Sequence, residues 1–178
     1  MSLPFEGLSI TRVVGLVAYA GTAVLCAWRA RRDQQSIRRS GGVFGVLAVV
    51  QFVLLLDIAF NLRWKLHEFF MQEAMSHGLY GMRRSPQLLV LCALAAASAF
   101  CCIFIARRFR WRRGAAIAVA GTLLSVALRC AEVLSYHNLD AVLYATVGKM
   151  MLVSVFWIGL TLLTWLGVWT DATTVTAS

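Results

Sequence analysis

The chain has 178 residues, 60% of them hydrophobic and 14% charged, with a mean hydropathy of +0.75. Soluble domains run at roughly 45–50% apolar and about 25% charged, so an ordinary soluble domain and a disordered chain are both excluded. Seventeen Lys and Arg face eight Asp and Glu, and the placement of that +9 charge decides what it means.

A bilayer-spanning helix needs roughly 20 mostly apolar residues. The pattern predicts an all-α polytopic membrane helix bundle with five spans, at about 10–28, 42–62, 86–106, 115–135 and 149–169; four is the alternative count. Residues 1–178 leave no room for a separate soluble domain, so the chain is expected to form one integral-membrane domain.

The first span contains Ala18-Tyr19-Ala20, the small-x-small form of a signal-peptide cleavage site. Its apolar run continues through Val24, Leu25 and Trp28, and cleavage would translocate a basic loop, so the span is expected to be retained. Gly15, Ala18 and Gly21 offer a close-approach surface for a neighbouring helix. The loop that follows carries Arg29, Arg31, Arg32, Arg38 and Arg39. After the second span, residues 63–85 read as a helical extension to about Ser76, a turn, and a return at Pro86, an allowed first-turn position for proline. The third and fourth spans carry small residues at four-residue spacing, Ala93/Ala97 and Ala116/Ala120. These predict a tight hairpin around a second basic loop with Arg107, Arg108, Arg110, Arg112 and Arg113.

Ten of the 17 basic residues thus occupy two loops on one side of a five-span bundle. The positive-inside rule makes that side cytoplasmic, with the N-terminus outside, the C-terminus inside and residues 63–85 extracytoplasmic. The expected location is the cell membrane, multi-pass. The partners implied are the bilayer with its anionic head groups, and a membrane-protein partner or a second copy of the chain. Nucleic acid is excluded as a partner, because no recognition module or aromatic-interleaved basic platform accompanies the arginines. The five cysteines, Cys26, Cys92, Cys101, Cys102 and Cys130, all fall in spans and form no C-x-x-C pair, which reads as small apolar filling.

Charges inside spans are expensive, and they normally face the bundle interior and pair. Asp57 lies 15 positions after Gly42 and Arg129 lies 14 after Ala115, in spans running the same way. Equal depth predicts an Asp57–Arg129 ion pair. Helical periodicity adds Asn61, Trp64 and Glu68 to the face of Asp57 if the second helix continues. It adds Ser125, Glu132, Tyr136 and Asp140 to the face of Arg129. Two polar stripes therefore approach the outer interface, with Arg63, Glu73, His77, Tyr80, Arg83, Arg84 and Lys149 as further members of a binding or structural cluster. The basic side shows no matching relay of acids and histidines.

Glu132, His137 and Asp140 are the candidate general acid/base groups. Ser135, His137 and Asp140 contain triad residue types, but Ser135 has no nucleophile elbow. The cofactor is unknown from sequence. A metal ion is one candidate, with His67, Met71, Met75 and His77 as soft and imidazole ligands at near-helical spacing. A methionine stripe at helical spacing is more often packing filler. Three functions are consistent with these residues. The first is a subunit, accessory factor or sensor of a membrane assembly, with a polar recognition pocket at the extracytoplasmic interface. The second is a membrane-interface enzyme on a lipid-linked or amphiphilic substrate. The third is ion or proton conduction by an oligomer.

Overall fold

The structure, a computed structural model, describes residues 10–35, 41–76, 84–109, 112–134, 137–147 and 150–176. Its elements in order are α1 (Ile10–Gln35), α2 (Gly41–Phe60), α3 (Leu62–Ser76), α4 (Arg84–Arg108), α5 (Arg113–Leu134), α6 (His137–Leu143), the short strands β1 (Thr146–Val147) and β2 (Met150–Met151), and α7 (Leu152–Thr176). Five helices, α1, α2, α4, α5 and α7, are long and apolar enough to cross a membrane. The chain is an all-α bundle, as expected. The fifth span begins at Leu152 rather than 149, because β1 and β2 pair antiparallel, Thr146 opposite Met151, and turn the chain first.

The five long helices place the C-terminal ends of α1 and α7 and the α4–α5 connection together, at what we term the basic end. The N-terminus of α1, the α2–α3 junction, α6 and the strand pair lie at the opposite, α3 end.

The tightest packing joins α5 to α7. A Cβ on Gly114 would overlap the backbone of Asp171, and one on Gly167 would overlap the backbone of Ala118. One on Gly121 would sit 2.6 Å from Thr164 Oγ1. Helices lacking side chains at the crossing approach closely and gain dispersion contact that lipid cannot supply. The expected α4–α5 seam is different. Ala93 and Ala97 are exposed, and α4 turns Gln87, Leu91, Leu94, Ser98 and Ile105 toward the bundle. Two glycines on one stripe of α5 outcompete alanines, because they remove the Cβ altogether. Among the described side chains of α4 only Ser98 is buried. An apolar cavity of about 460 Å³ separates α4 from α5 and α7, lined in part by Leu94, Ala99, Cys102, Leu128 and Phe156.

The expectation for α1 holds at its two glycines. A Cβ on Gly15 would lie 2.8 Å from the Trp157 ring, and one on Gly21 would lie 3.1 Å from Trp165. Cys26 is buried, Cys101 and Cys102 are half-buried, and Cys92 and Cys130 are exposed; all five are free thiols.

Candidate functional site

The helix that leaves the second span does not continue straight. Asn61 adopts φ 52°, a left-handed conformation that asparagine tolerates better than most residues. Its carbonyl then accepts from Trp64 and Lys65 N–H, starting α3. Asp57 Oδ1 accepts the Arg63 N–H at 2.9 Å, so one carboxylate oxygen caps the new helix. The break corrects the single face expected through Asp57, Asn61, Trp64 and Glu68. Glu68 and Glu73 are exposed, whereas Arg63, His67 and Met71 form the half-buried face of α3.

Rotating α3 at Asn61 swings Arg63 onto α5, where its Nη1 pairs with Glu132 Oε2. The same oxygen accepts Arg129 Nη1 at 2.9 Å, and Trp157 Nε1 donates to Oε1 at 3.1 Å. Glu132 is thus held by three donors from α3, α5 and α7, with its side chain fully buried. Asp57 Oδ2 stands 3.7 Å from Arg129 Nε, a Coulombic contact rather than a hydrogen bond. The expected Asp57–Arg129 proximity is present, but Glu132 is the closer acid to Arg129. Two cations stand near the Trp157 ring, Arg129 Cζ 4.2 Å and Arg63 Cζ 5.3 Å from its centroid. Tyr19, also fully buried, places its ring 5.4 Å from Arg129 Cζ. Ser125, Arg129 and Glu132 all lie on the buried stripe of α5, as periodicity indicates.

The end of α5 is closed by side chains from two other helices. His67 Nδ1 lies 3.3 Å from the Val133 carbonyl, and Gln87 Nε2 donates to the Leu134 carbonyl at 2.9 Å. Terminal helix carbonyls have no intrahelical donor, so these contacts satisfy them. A carbonyl partner places the proton on Nδ1, leaving only Nε2 for any metal. Met75 is exposed, and no group of three His, Cys, Asp or Glu able to hold a metal occurs among the described residues.

Asp140 belongs to α6, beyond the end of α5, and is half-buried. His137 begins α6, but its side chain, like that of Arg84, is not among those described. His77, Tyr80, Arg83, Ser135, Tyr136 and Lys149 lie outside the described residues.

Beside the ion cluster is a cavity of about 320 Å³, lined by Thr11, Arg12, Ile58, Asn61, Arg63, Trp64, Tyr144, Met151 and Trp157. Trp64 and Tyr144 stack at 5.9 Å with their planes 30° apart. Burial, and then the nearby Glu132 charge, push the Tyr144 phenol up to about 12, so it stays a neutral donor. Arg12 donates to the Ala59 carbonyl, tying α1 to the end of α2.

A second ion cluster occupies the basic end, and residue spacing alone indicates only its Arg29–Asp33 pair. Asp171 of α7 receives two bonds from Arg112 and one, at 3.1 Å, from Arg29. Asp33 lies 3.1 Å from Arg29 and 3.5 Å from Arg112. Phe44 sits beside both guanidiniums, at 5.7 and 5.9 Å. Two of the ten loop arginines therefore hold the bundle together rather than face lipid. The basic end also contains two buried acids, Asp33 and Asp171, each paired with arginine. The hydrogen bonds to Asp171 raise the Arg112 pKa further above its usual value, so this cation stays charged across physiological pH. Replacing Asp171 with Asn leaves Arg29 and Arg112 sharing Asp33. The expected loss is about 3 kcal/mol, at the lower end of the range for breaking a buried pair. Thermal unfolding in detergent checks it, with Asp33→Asn expected to cost less because its Arg112 contact is longer.

The site and fold define a multi-pass helical membrane bundle with an ion cluster at each end. The chain has no significant match to any protein-family model, curated protein or solved structure.

Proposed function

We propose that the protein is an accessory or sensor subunit of a cell-membrane assembly, and that the cavity at the α3 end is its recognition element. The observation that supports this reading is how Glu132 is used. Both of its oxygens accept hydrogen bonds, and its side chain is fully buried. A general base needs a lone pair within reach of substrate, so Glu132 acts as a clamp that fixes Arg63 and Trp157 at the cavity wall. In the orientation set by the basic loops, this cavity faces the extracytoplasmic side.

The nearly bare helix α4 supplies a surface for a partner within the bilayer. Leu89 and Phe100 are 71% and 70% exposed, and their eleven-residue separation places them on one face. Photo-crosslinking groups at these two positions, in native membranes, are expected to capture the same second polypeptide. A group at Val24 on α1, equally exposed at 69%, serves as control. A monomer in mild detergent with only lipid adducts from both α4 positions contradicts the proposal.

A further inference from the structure

Among the described residues, the cavity wall carries two arginines, Arg12 and Arg63, together with Asn61, and no carboxylate side chain. Its lining also brings together the starts of three helices: Thr11 and Arg12 in the first turn of α1, Arg63 and Trp64 in that of α3, and Met151 immediately before α7. The positive end of the α1 dipole therefore adds to the two cations, whereas the start of α3 is capped by Asp57. The remaining lining is apolar or aromatic: Ile58, Trp64, Tyr144, Met151 and Trp157. Glu132 and Asp57 lie behind this wall, engaged with Arg63, Arg129 and the start of α3. The acids thus sit outside the described lining, while Arg63, paired with Glu132, and Arg12, bonded to the Ala59 carbonyl, also line the cavity.

From this geometry we infer that the cavity binds a phosphate-type oxyanion carried on an apolar body. Arg12, Arg63 and Asn61 hold the oxyanion, and Trp64, Tyr144 and Trp157 pack the body. A cavity of about 320 Å³ exceeds what the oxyanion alone fills, which leaves room for the body. The site sits where α1 begins and α2 ends, flanked by the exposed aromatics Phe60 and Trp64. Aromatic side chains favour the head-group level of a bilayer, so a phospholipid head group and a soluble phosphate ester can both reach the site.

This inference rests on reading the cavity as the recognition element, yet it is tested on the purified chain without a partner. Failure here leaves the crosslinking result standing, and the reverse also holds. The full chain in detergent is titrated with inorganic phosphate, short-chain phosphatidic acid and short-chain phosphatidylcholine, with bound adducts read by native mass spectrometry. One phosphatidic acid per chain is expected, favoured over phosphatidylcholine. Arg12→Gln is expected to weaken it about tenfold, the usual scale of a charged hydrogen bond. Asn61→Gly keeps the left-handed backbone while removing the amide, so it tests the site even if Arg12→Gln folds poorly. Arg31→Gln, exposed at the basic end, is expected to change nothing. Inorganic phosphate binding with the same sensitivity to Arg12 indicates a soluble source, and binding of phosphatidic acid alone indicates a lipid source; both support the site. Equal binding of the two lipids, or equal losses in Arg12→Gln and Arg31→Gln, overturns it.

Discussion

Replacing Glu132 with Ala is expected to lower the unfolding free energy of the detergent-solubilised bundle by about 3–5 kcal/mol, the cost of breaking a buried ion pair. The reason is the state of the groups left behind. Arg63 and Arg129 both donate to one oxygen of Glu132, and the Trp157 indole donates to the other. Without the carboxylate, Arg129 retains the 3.7 Å contact with Asp57 and its ring contacts but no hydrogen-bonded acid among the described residues, and a buried indole N–H loses its acceptor. Glu132→Gln keeps an oxygen for Trp157 but removes the charge, so its loss is expected to be smaller. Chemical unfolding followed by tryptophan emission measures both, since Trp157 lies within the cluster. An alanine variant within about 0.5 kcal/mol of the parent, the range of ordinary surface changes, contradicts this account.

The second large effect is steric. Gly167→Val places a branched side chain where even a Cβ overlaps the backbone of Ala118. Backbone cannot rotate away as a side chain can, so α5 and α7 must separate along their length. The expected loss is about 3 kcal/mol, the upper end of ordinary overpacking. Gly159 is the internal control, on the same helix with nothing within 4 Å of an added Cβ. Gly159→Val is expected to be neutral or slightly stabilising through helix propensity. Equal stability of the two variants shows that α5 and α7 do not cross as described.

The spans were legible because the run length of apolar residues responds to one variable, the thickness of the bilayer core. The nearness of Asp57 and Arg129 was legible for a related reason, since depth follows from counting along two parallel helices. The choice of Glu132 as the closer partner was not. It depends on the left-handed Asn61, which turns Arg63 toward α5, and a helical wheel assumes that no such break occurs. Trp157 was missed because only charged residues were traced, whereas it lies on the α7 face of the uncharged Ser154, Thr161 and Thr164 and packs in space left by Gly15. A tryptophan paired with a facing glycine was the available signal. At the basic end, Arg29 and Asp33 stand four apart on α1, a visible pair, but Asp171 joins them from 138 residues beyond Asp33.

The two buried acids at the basic end bear on conduction, although no histidine accompanies them among the described residues. Both are nevertheless engaged by Arg29 and Arg112, so the geometry shows ion pairs that close the bundle rather than sites awaiting an ion. Recognition beside a locked cluster remains the reading that uses the buried charged groups in their observed contacts.

The central claim is that the polar stripes of α3 and α5 close on each other through Arg63 and Glu132. A double-mutant cycle on unfolding stability, using Arg63→Gln, Glu132→Gln and the double variant, tests it most directly. A coupling of about 1 kcal/mol or more is predicted for residues in one buried network. Additive losses, with coupling below about 0.3 kcal/mol, would contradict it.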